Sequence, residues 1–596
     1  MEKDTKLGTE GKKVVYHVFT RLFGNTNTTN KPWGTIEENG VGKFNDFTPK
    51  ALREIKKLGV THIWYTGVPH HALINDYTDI GISNDHPSVV KGRAGSPYAV
   101  KDYYNVNPDL AVDPANRLQE FEALIARTHK AGMKVIIDIV PNHVARKYEG
   151  KTNPEGVTDF GSNDNTSVEY DANNNFYYIP NTAFELPDIE PPLGGEANPL
   201  LDHPFVEMPA KWTGNGSRKA RPDKNDWYET AKINYGVRPD GQVDFPYLPW
   251  GYDTESFEKH FEFWQDKTVP DSWYKFRDIA LYWIDKGVDG FRYDMAELVP
   301  FEFWSFMNSA IKMKRPDAFL LAEVYNPDLY YNYIKMGKMD YLYDKVGTYD
   351  KLKDVIQGRS WPDELTQIQY DMWDISHHML KFLDNHDEQR IASPEFAGDA
   401  DKGKPMMVVS ATISSAPVMI YFGQEVGEPA NENAGFGTHS RTSIFDYIGV
   451  PSHQRWINEG KFDGGQLTAA EASLRDFYKR LLNFTLESTA LMGEFQEIQF
   501  ANRYHTEGYD TAIYSFTRWS ENQKLIVVTN FSAEQTSTFN LKVPKLVIEK
   551  WNLADGTYKV VDQLYKKIKW SLQVSNGEGA IAMQLSPLES VILELK

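Results

Sequence analysis

The chain has 596 residues, of which 41% are hydrophobic, 13% aromatic and 25% charged. That is too aromatic for a disordered chain and enough for several domains or one large barrel with attachments. Sixty-four Lys and Arg against 83 Asp and Glu leave a net charge of −19 and there is no cysteine; nucleic acid and anionic lipid are excluded as partners, as are disulfide frameworks and thiolate or Cys-ligated metal chemistry.

The opening stretch, 1–13, has basic residues but no apolar run after them, so it carries no secretory signal and its first ten residues or so form a tail. Eight β-branched or aromatic runs follow, at 14–19, 60–66, 134–140, 290–294, 319–324, 339–344, 380–384 and 417–423. Amphipathic stretches such as 116–132 and 272–286 separate most of them. Strand alternating with helix predicts a parallel sheet, and eight units are the count that closes a (β/α)8 TIM barrel; a doubly wound sheet is the alternative. The longest uncharged stretch, 405–424, is broken by Ser410, Ser414, Ser415 and Pro417 and reads as a buried helix, turn and strand rather than a membrane span.

Between 140 and 290 the chain is rich in Asn, Asp, Gly, Pro, Trp and Tyr and has little helical period. A loop that long is functional or a domain of its own. Short strands at 512–519, 524–530, 536–541, 581–585 and 590–595 predict an all-β C-terminal domain, a β-sandwich. The predicted division is barrel 1–142, inserted domain 143–270, barrel 271–488 and β-domain 489–596.

Reactive groups in such a barrel project from the C-terminal ends of strands. Three of the predicted strands end in carboxylates: Asp294 on the fourth, Glu323 on the fifth and Asp387 after the seventh. A single Asp at a strand end is more often a cap or anchor, but three acids with His143, Arg292 and His386 beside them are harder to dismiss. Arg292 and Asp294, two apart, share one face of a strand. A fixed cation there would hold Asp294 ionised, which suits a nucleophile. Glu323 follows the apolar run FLLA, where partial burial would keep it protonated as an acid. Two such carboxyl groups are what retaining glycoside hydrolysis needs, with Asp387 placed to grip sugar hydroxyls.

These segments resemble the signature regions of glycoside hydrolase family 13, the α-amylase family: DIVPNH (138–143), GFRYD (290–294), AEV (322–324) and FLDNHD (382–387), in the family's order. SPY (96–98) and MIYFGQE (419–425) extend the likeness. The resemblance implies Asp294 as nucleophile, Glu323 as acid/base and Asp387 as transition-state stabiliser, with Tyr98, His143, Arg292 and His386 lining the subsite of the attacked glucose. It implies a domain B inserted after strand three and a structural Ca2+ held through Asn142. The domain B motif has two candidates, 186–190, in which Asp188 would be a calcium ligand, and 230–234. Asn25, Asn27 and Asn30, with Asp46 later, resemble a second calcium loop, though Asn is also common loop filler. Many α-amylases carry a Lys-His pair shortly after the nucleophile; here the stretch is DMAEL (294–298), so Glu297 is expected in the leaving-side subsite, as in neopullulanase-like members.

The aromatic residues Trp227, Tyr228, Tyr235, Tyr247 and Trp250 form either a sugar platform or the core of domain B. The expected activity is hydrolysis of α-1,4 bonds in starch-derived glucans, with a transglycosylase, a disaccharide isomerase or a non-catalytic sugar-binding relative as alternatives. The resemblance further implies a monomer, because no β-domain precedes strand one, and the size of a polymeric substrate implies an exported enzyme with its signal removed.

Overall fold

The computed structural model describes residues 11–567 and 569–596, so the expected N-terminal tail lies outside the described residues. Eight short strands form one sheet of parallel neighbours: β1 (Val14–Phe19), β2 (His62–Thr66), β3 (Lys134–Ile139), β4 (Gly290–Tyr293), β5 (Phe319–Ala322), β6 (Tyr341–Tyr343), β7 (Met379–Leu380) and β8 (Val418–Tyr421). They are buried on both faces, which is why they read as continuous apolar runs rather than alternating ones. Their order is β7-β6-β5-β4-β3-β2-β1-β8. The two edges meet just past β7, where Lys381 N–H donates to Pro417 O at 3.0 Å and Met419 N–H to Lys381 O at 2.8 Å. The sheet is therefore a closed (β/α)8 barrel, and a doubly wound sheet, whose edges stay open, is excluded.

Helices Arg117–Lys130 and Asp271–Asp285 occupy the predicted amphipathic stretches. Helix Gly403–Thr412 and β8 account for the uncharged run. Strands β6 and β7 are shorter than predicted. The chain leaves the ladder early there, and Asp344 and Asp384 enter buried ion pairs with Lys381 and Arg390.

After β3 the chain leaves the barrel and is fastened to its mouth by an antiparallel pair, His143–Ala145 with Thr230–Lys232. A second pair joins Tyr178–Ile179 to Ala210–Lys211. The aromatic residues of this domain B are not one core. Tyr228 and Tyr235 are core, Tyr247 and Trp250 stand exposed, and Trp227 packs its ring 5.2 Å from that of His143.

Beyond helix Ala469–Glu487 lie eight antiparallel strands, β9 (Glu494–Glu497), β10 (Ile513–Trp519), β11 (Lys524–Asn530), β12 (Ser537–Val543), β13 (Gly556–Asp562), β14 (Ser571–Ser575), β15 (Glu578–Leu585) and β16 (Ser590–Leu595). Their order is β9-β10-β11-β16-β13-β14-β15-β12. In β12 and β15 burial alternates residue by residue, so one face covers a separate core of Leu541, Leu572, Ile581 and Val591. β9, β13 and β14 went unpredicted because polar residues interrupt them and the first half of β13 is largely exposed.

The barrel's closing seam carries a test. Lys381 and Asp344 are both fully buried, and Lys381 Nζ also donates to Thr348 Oγ1 at 3.1 Å. Removing one partner of such a pair strands the other charge, so Lys381→Met should destabilise the barrel by roughly 3–5 kcal/mol, and Lys381→Met with Asp344→Leu should recover most of it. Calorimetric unfolding of the two variants checks this; a double variant that loses as much as Lys381→Met or more would show that a stranded Asp344 charge is not the source of the loss.

Candidate active site

The register of β3 and β4 sets Arg292 directly beside Asp138, both facing into the barrel mouth. The Arg292 side chain is 1% exposed. Its Nη1 lies 2.7 Å from Asp294 Oδ1 and 3.4 Å from Asp138 Oδ1, and its Nη2 lies 3.1 Å from Glu323 Oε2. Asp138 is held in turn by the Trp64 indole N–H at 2.9 Å. The guanidinium carbon sits 5.3 Å from the Trp64 ring and 5.4 Å from the Tyr98 ring. Burial works against the Arg292 charge, but the surrounding carboxylates, Glu323 foremost, more than offset it and keep the guanidinium protonated.

The three acids have unlike surroundings. Asp294 is buried, and burial pushes its carboxyl well above the ordinary aspartate range; Arg292 pulls it back, while Glu323 and Asp387 add to the push. Arg292 thus opposes a larger effect rather than setting the charge alone. Glu323 is also buried, but not among apolar groups as expected. Its Oε2 accepts from Met295 N–H at 2.9 Å and its Oε1 from the Tyr325 hydroxyl. Met295 reaches it only because its backbone is left-handed (φ 46°), an unfavourable conformation for a side chain-bearing residue. Asp387 stands at the edge, its side chain 44% exposed. Burial raises its pKa, but His386, at 3.0 Å, together with Arg292 and Arg441, overcomes this and holds it at about 2.

The Tyr98 hydroxyl oxygen and His386 Nε2 lie within hydrogen-bond distance, and the two rings stack at 5.2 Å. His143 Nδ1 faces Asn142 Nδ2 at 2.9 Å, and its Nε2 points at Asp294 Oδ2 from 4.0 Å. Burial, helped by Lys232 and Lys91, lowers the His143 pKa to about 3 against a hydrogen bond to the Tyr98 backbone that raises it, so the ring is neutral. Sequence reasoning missed Tyr325, Trp64 and His17. Tyr325 lies two residues after Glu323, a spacing that could have pointed to it. Trp64 and His17 stack face to face at 3.6 Å beneath His386, and only the ring of strands brings them together.

Glu297 is half-buried, and one of its two oxygens is engaged by backbone. Its Oε2 accepts from the backbone N–H groups of Tyr325 and Asn326 at 2.9 and 3.0 Å. It pins the turn after β5 and so the phenol that donates to Glu323.

The calcium expectations at Asn142 and Asp188 do not fit the side chains present. Asn142 is buried, its Oδ1 takes Lys232 Nζ, and its Nδ2 donates to Gly214 O at 2.8 Å. Lys232 Nζ also donates to Leu298 O at 3.2 Å. An amine therefore sits where the cation was expected. Burial pulls it down to about 7, so it reaches these oxygens as an ammonium up to neutrality and as a neutral donor above. Of the two motif candidates, 230–234 is the one paired with the strand that follows Asn142. Asp188 is almost fully exposed and pairs with Arg221 at 2.7 Å. The oxygens of Asn25, Asn27 and Asn30 accept backbone N–H groups of Asn27, Thr29 and Gly449. These are loop bonds, and the Asp46 carboxylate lies against Gly24 beside the same loop, its Oδ2 accepting from Lys43 N–H at 2.6 Å. Among the described residues no cluster of three or more His, Asp or Glu could hold a metal.

Two treatments separate lysine from metal. Lys232→Met leaves the buried Asn142 carbonyl unpaired and should cost about 1–3 kcal/mol of stability. EDTA on the unmodified protein should leave its Tm unchanged. A Tm that falls in EDTA and returns with Ca2+ would contradict the assignment.

Comparison with known proteins gives the family. The family described as alpha amylase, catalytic domain, matches residues 17–186 and 208–461. An alpha-amylase 3 of Dictyoglomus thermophilum is 23% identical over 89% of this chain and 87% of its own length. A neopullulanase 2 of Thermoactinomyces vulgaris is 21% identical over 97% of this chain and 77% of its own. Among solved structures, an alpha-amylase from Geobacillus thermoleovorans complexed with acarbose superposes with a TM-score of 0.59 at 18% identity, covering 98% of each chain, which speaks to the fold alone. With the family match spanning most of its length, the chain is a member of the α-amylase family, glycoside hydrolase family 13.

Proposed function

We propose that the enzyme is a retaining hydrolase that cleaves α-1,4-glucosidic bonds in starch-derived poly- or oligosaccharides. The observation that carries the reading is the single Arg292 fork touching Asp294 and Glu323 at once. Carboxyls bridged by one planar guanidinium are near neighbours, which favours the ~5–5.5 Å pairing of retaining enzymes over the wider inverting one. Relatives named alpha-amylase and neopullulanase, and a structural neighbour complexed with acarbose, support an α-glucan substrate.

In this reading Asp294 attacks the anomeric carbon as Glu323 gives its proton to the departing glycosidic oxygen. A bond forms between C1 and the Asp294 carboxylate as the C1–O bond breaks. Glu323, now ionised, takes a proton from water, whose oxygen displaces Asp294 from C1 and restores both groups. A sugar hydroxyl in place of that water would turn the same cycle into transfer. Asp387, held ionised, and the neutral His143 grip hydroxyls of the sugar under attack. Three donors around Glu323 suit the ionised form it takes halfway through the cycle.

Glu323→Gln should lower kcat on maltooligosaccharides by about 10²–10⁴-fold and on α-maltosyl fluoride far less, since fluoride needs no proton to leave. Asp294→Asn should be inactive on both. The first product seen by NMR should be the α-anomer; a β-anomer would overturn the retaining mechanism. The pH profile has a sign to check. Asp294 must be ionised to attack, and Arg292 lowers its pKa. Arg292→Gln should therefore move the acid limb of kcat/KM to higher pH, and a limb that stays or moves down would contradict this role.

A further inference from the structure

In a ring of eight strands β8 and β1 stand across from β4 and β5, so the loops after β8 and β1 face Glu323 from the far side of the mouth. Those loops are tied shut around Trp33. Its N–H donates to Ala434 O at 3.0 Å, its carbonyl accepts from Arg93 Nε at 2.5 Å, and its ring meets Phe436 edge-on at 6.0 Å. Two glycine backbones press on it. A Cβ on Gly194 would stand 2.8 Å from the indole, and one on Gly435 would stand 2.6 Å from the Trp33 nitrogen. Gly194 belongs to a domain B turn in which Leu193, Gly194 and Gly195 are all left-handed, at φ 57°, 68° and 87°. The turn buries Leu193, and the next residue, Glu196, pairs with the buried Arg93. One tryptophan thus joins the loop after β1, the loop after β8 and domain B into a wall.

The wall is near the reacting groups. Arg93 precedes Tyr98 by only five residues, which span at most about 18 Å even when extended. The run between them is held in place by Ala94 N–H on Phe445 O at 2.9 Å and by Arg21 Nη1 on Ala94 O at 3.0 Å. A few glucose units fill that distance.

We infer that the Trp33 clamp closes the glycone end of the cleft, so that the enzyme releases short oligosaccharides of one length from the non-reducing ends of linear α-glucans and does not cut chains internally. The inference rests on the function proposed above. Glu323 on β5 protonates the leaving oxygen, so the departing part of the chain lies on that side. The part bonded to Asp294 runs the other way, toward β8 and β1, where Trp33 stands. The exposed Arg441, in the loop after β8 that the clamp holds, puts its charge on Asp387 and so ties that loop electrostatically to the reacting groups.

The test uses the full chain with maltoheptaose labelled at its reducing end, and the same sugar additionally blocked at its non-reducing end. The free heptaose should yield one short unlabelled product from the first turnovers. The blocked one should be cut at least about 10²-fold more slowly, because the block collides with the wall. Trp33→Ala and Glu196→Ala, which release the clamp from different sides, should each narrow that gap by about tenfold and lengthen the unlabelled products. Wild-type enzyme that cuts both sugars equally, at internal bonds, overturns the inference and leaves the hydrolase reading standing. Folded clamp variants with unchanged products and unchanged gap overturn the part given to Trp33 and Glu196. Failure to cut either sugar overturns the hydrolase reading itself.

Discussion

A buried guanidinium among four carboxyl groups is the constraint around which the catalytic end of this protein is built. Arg292 touches Asp138, Asp294 and Glu323, and its charge reaches Asp387. Without it the acids would repel one another in a space that already disfavours ionisation. With it, burial and attraction oppose each other, and the balance differs from one acid to the next. Asp294 is pushed up, while Asp387, with His386 beside it, is held low. In the proposed mechanism, a group that must be charged to attack and a group that must stay charged throughout thus occupy one small volume. Their roles follow from different neighbours rather than different chemistry.

That cation is positioned by backbone register, not by loops. Arg292 faces Asp138 because β4 pairs with β3 in one register, and a slip of one residue would turn its side chain to the other face. Trp64 on β2 fixes Asp138, so three adjacent strands set one guanidinium. The loops add adjustable parts. Glu297 pins the turn that carries Tyr325, and the left-handed Met295 aims a backbone N–H at Glu323. The strain at Met295 is local and is held by the barrel beneath it.

Domain B is joined to this frame at a different point and by a different device. Its strand at 230–232 lies against the strand that follows Asn142, and Lys232 reaches across to the Asn142 and Leu298 carbonyls. The same lysine helps to keep His143 neutral. The fastening of the inserted domain and the protonation of a cleft residue therefore share one amine.

Much of this was legible in the order of residues. Eight buried strands announce themselves as apolar runs because a barrel strand is covered on both faces, and the acids fall where those runs end. Arg292 and Asp294 could be put on one face by their spacing alone. What the sequence could not decide was everything set by contacts between distant segments. The partner of Asn142 is Lys232, 90 positions away, and no local pattern distinguishes a carbonyl that waits for calcium from one that meets an amine. The apolar run before Glu323 suggested a dry pocket, yet Met295 and Tyr325 surround it with donors. Glu297, expected only as a sugar ligand, also accepts two backbone amides at Oε2. Strands β13 and β14, interrupted by polar residues, left too weak a pattern to find. Periodicity and strand ends report what each segment does with its own neighbours along the chain; hydrogen-bond partners, burial and charge balance exist only once the ring closes, because each depends on which remote atoms arrive within a few ångströms.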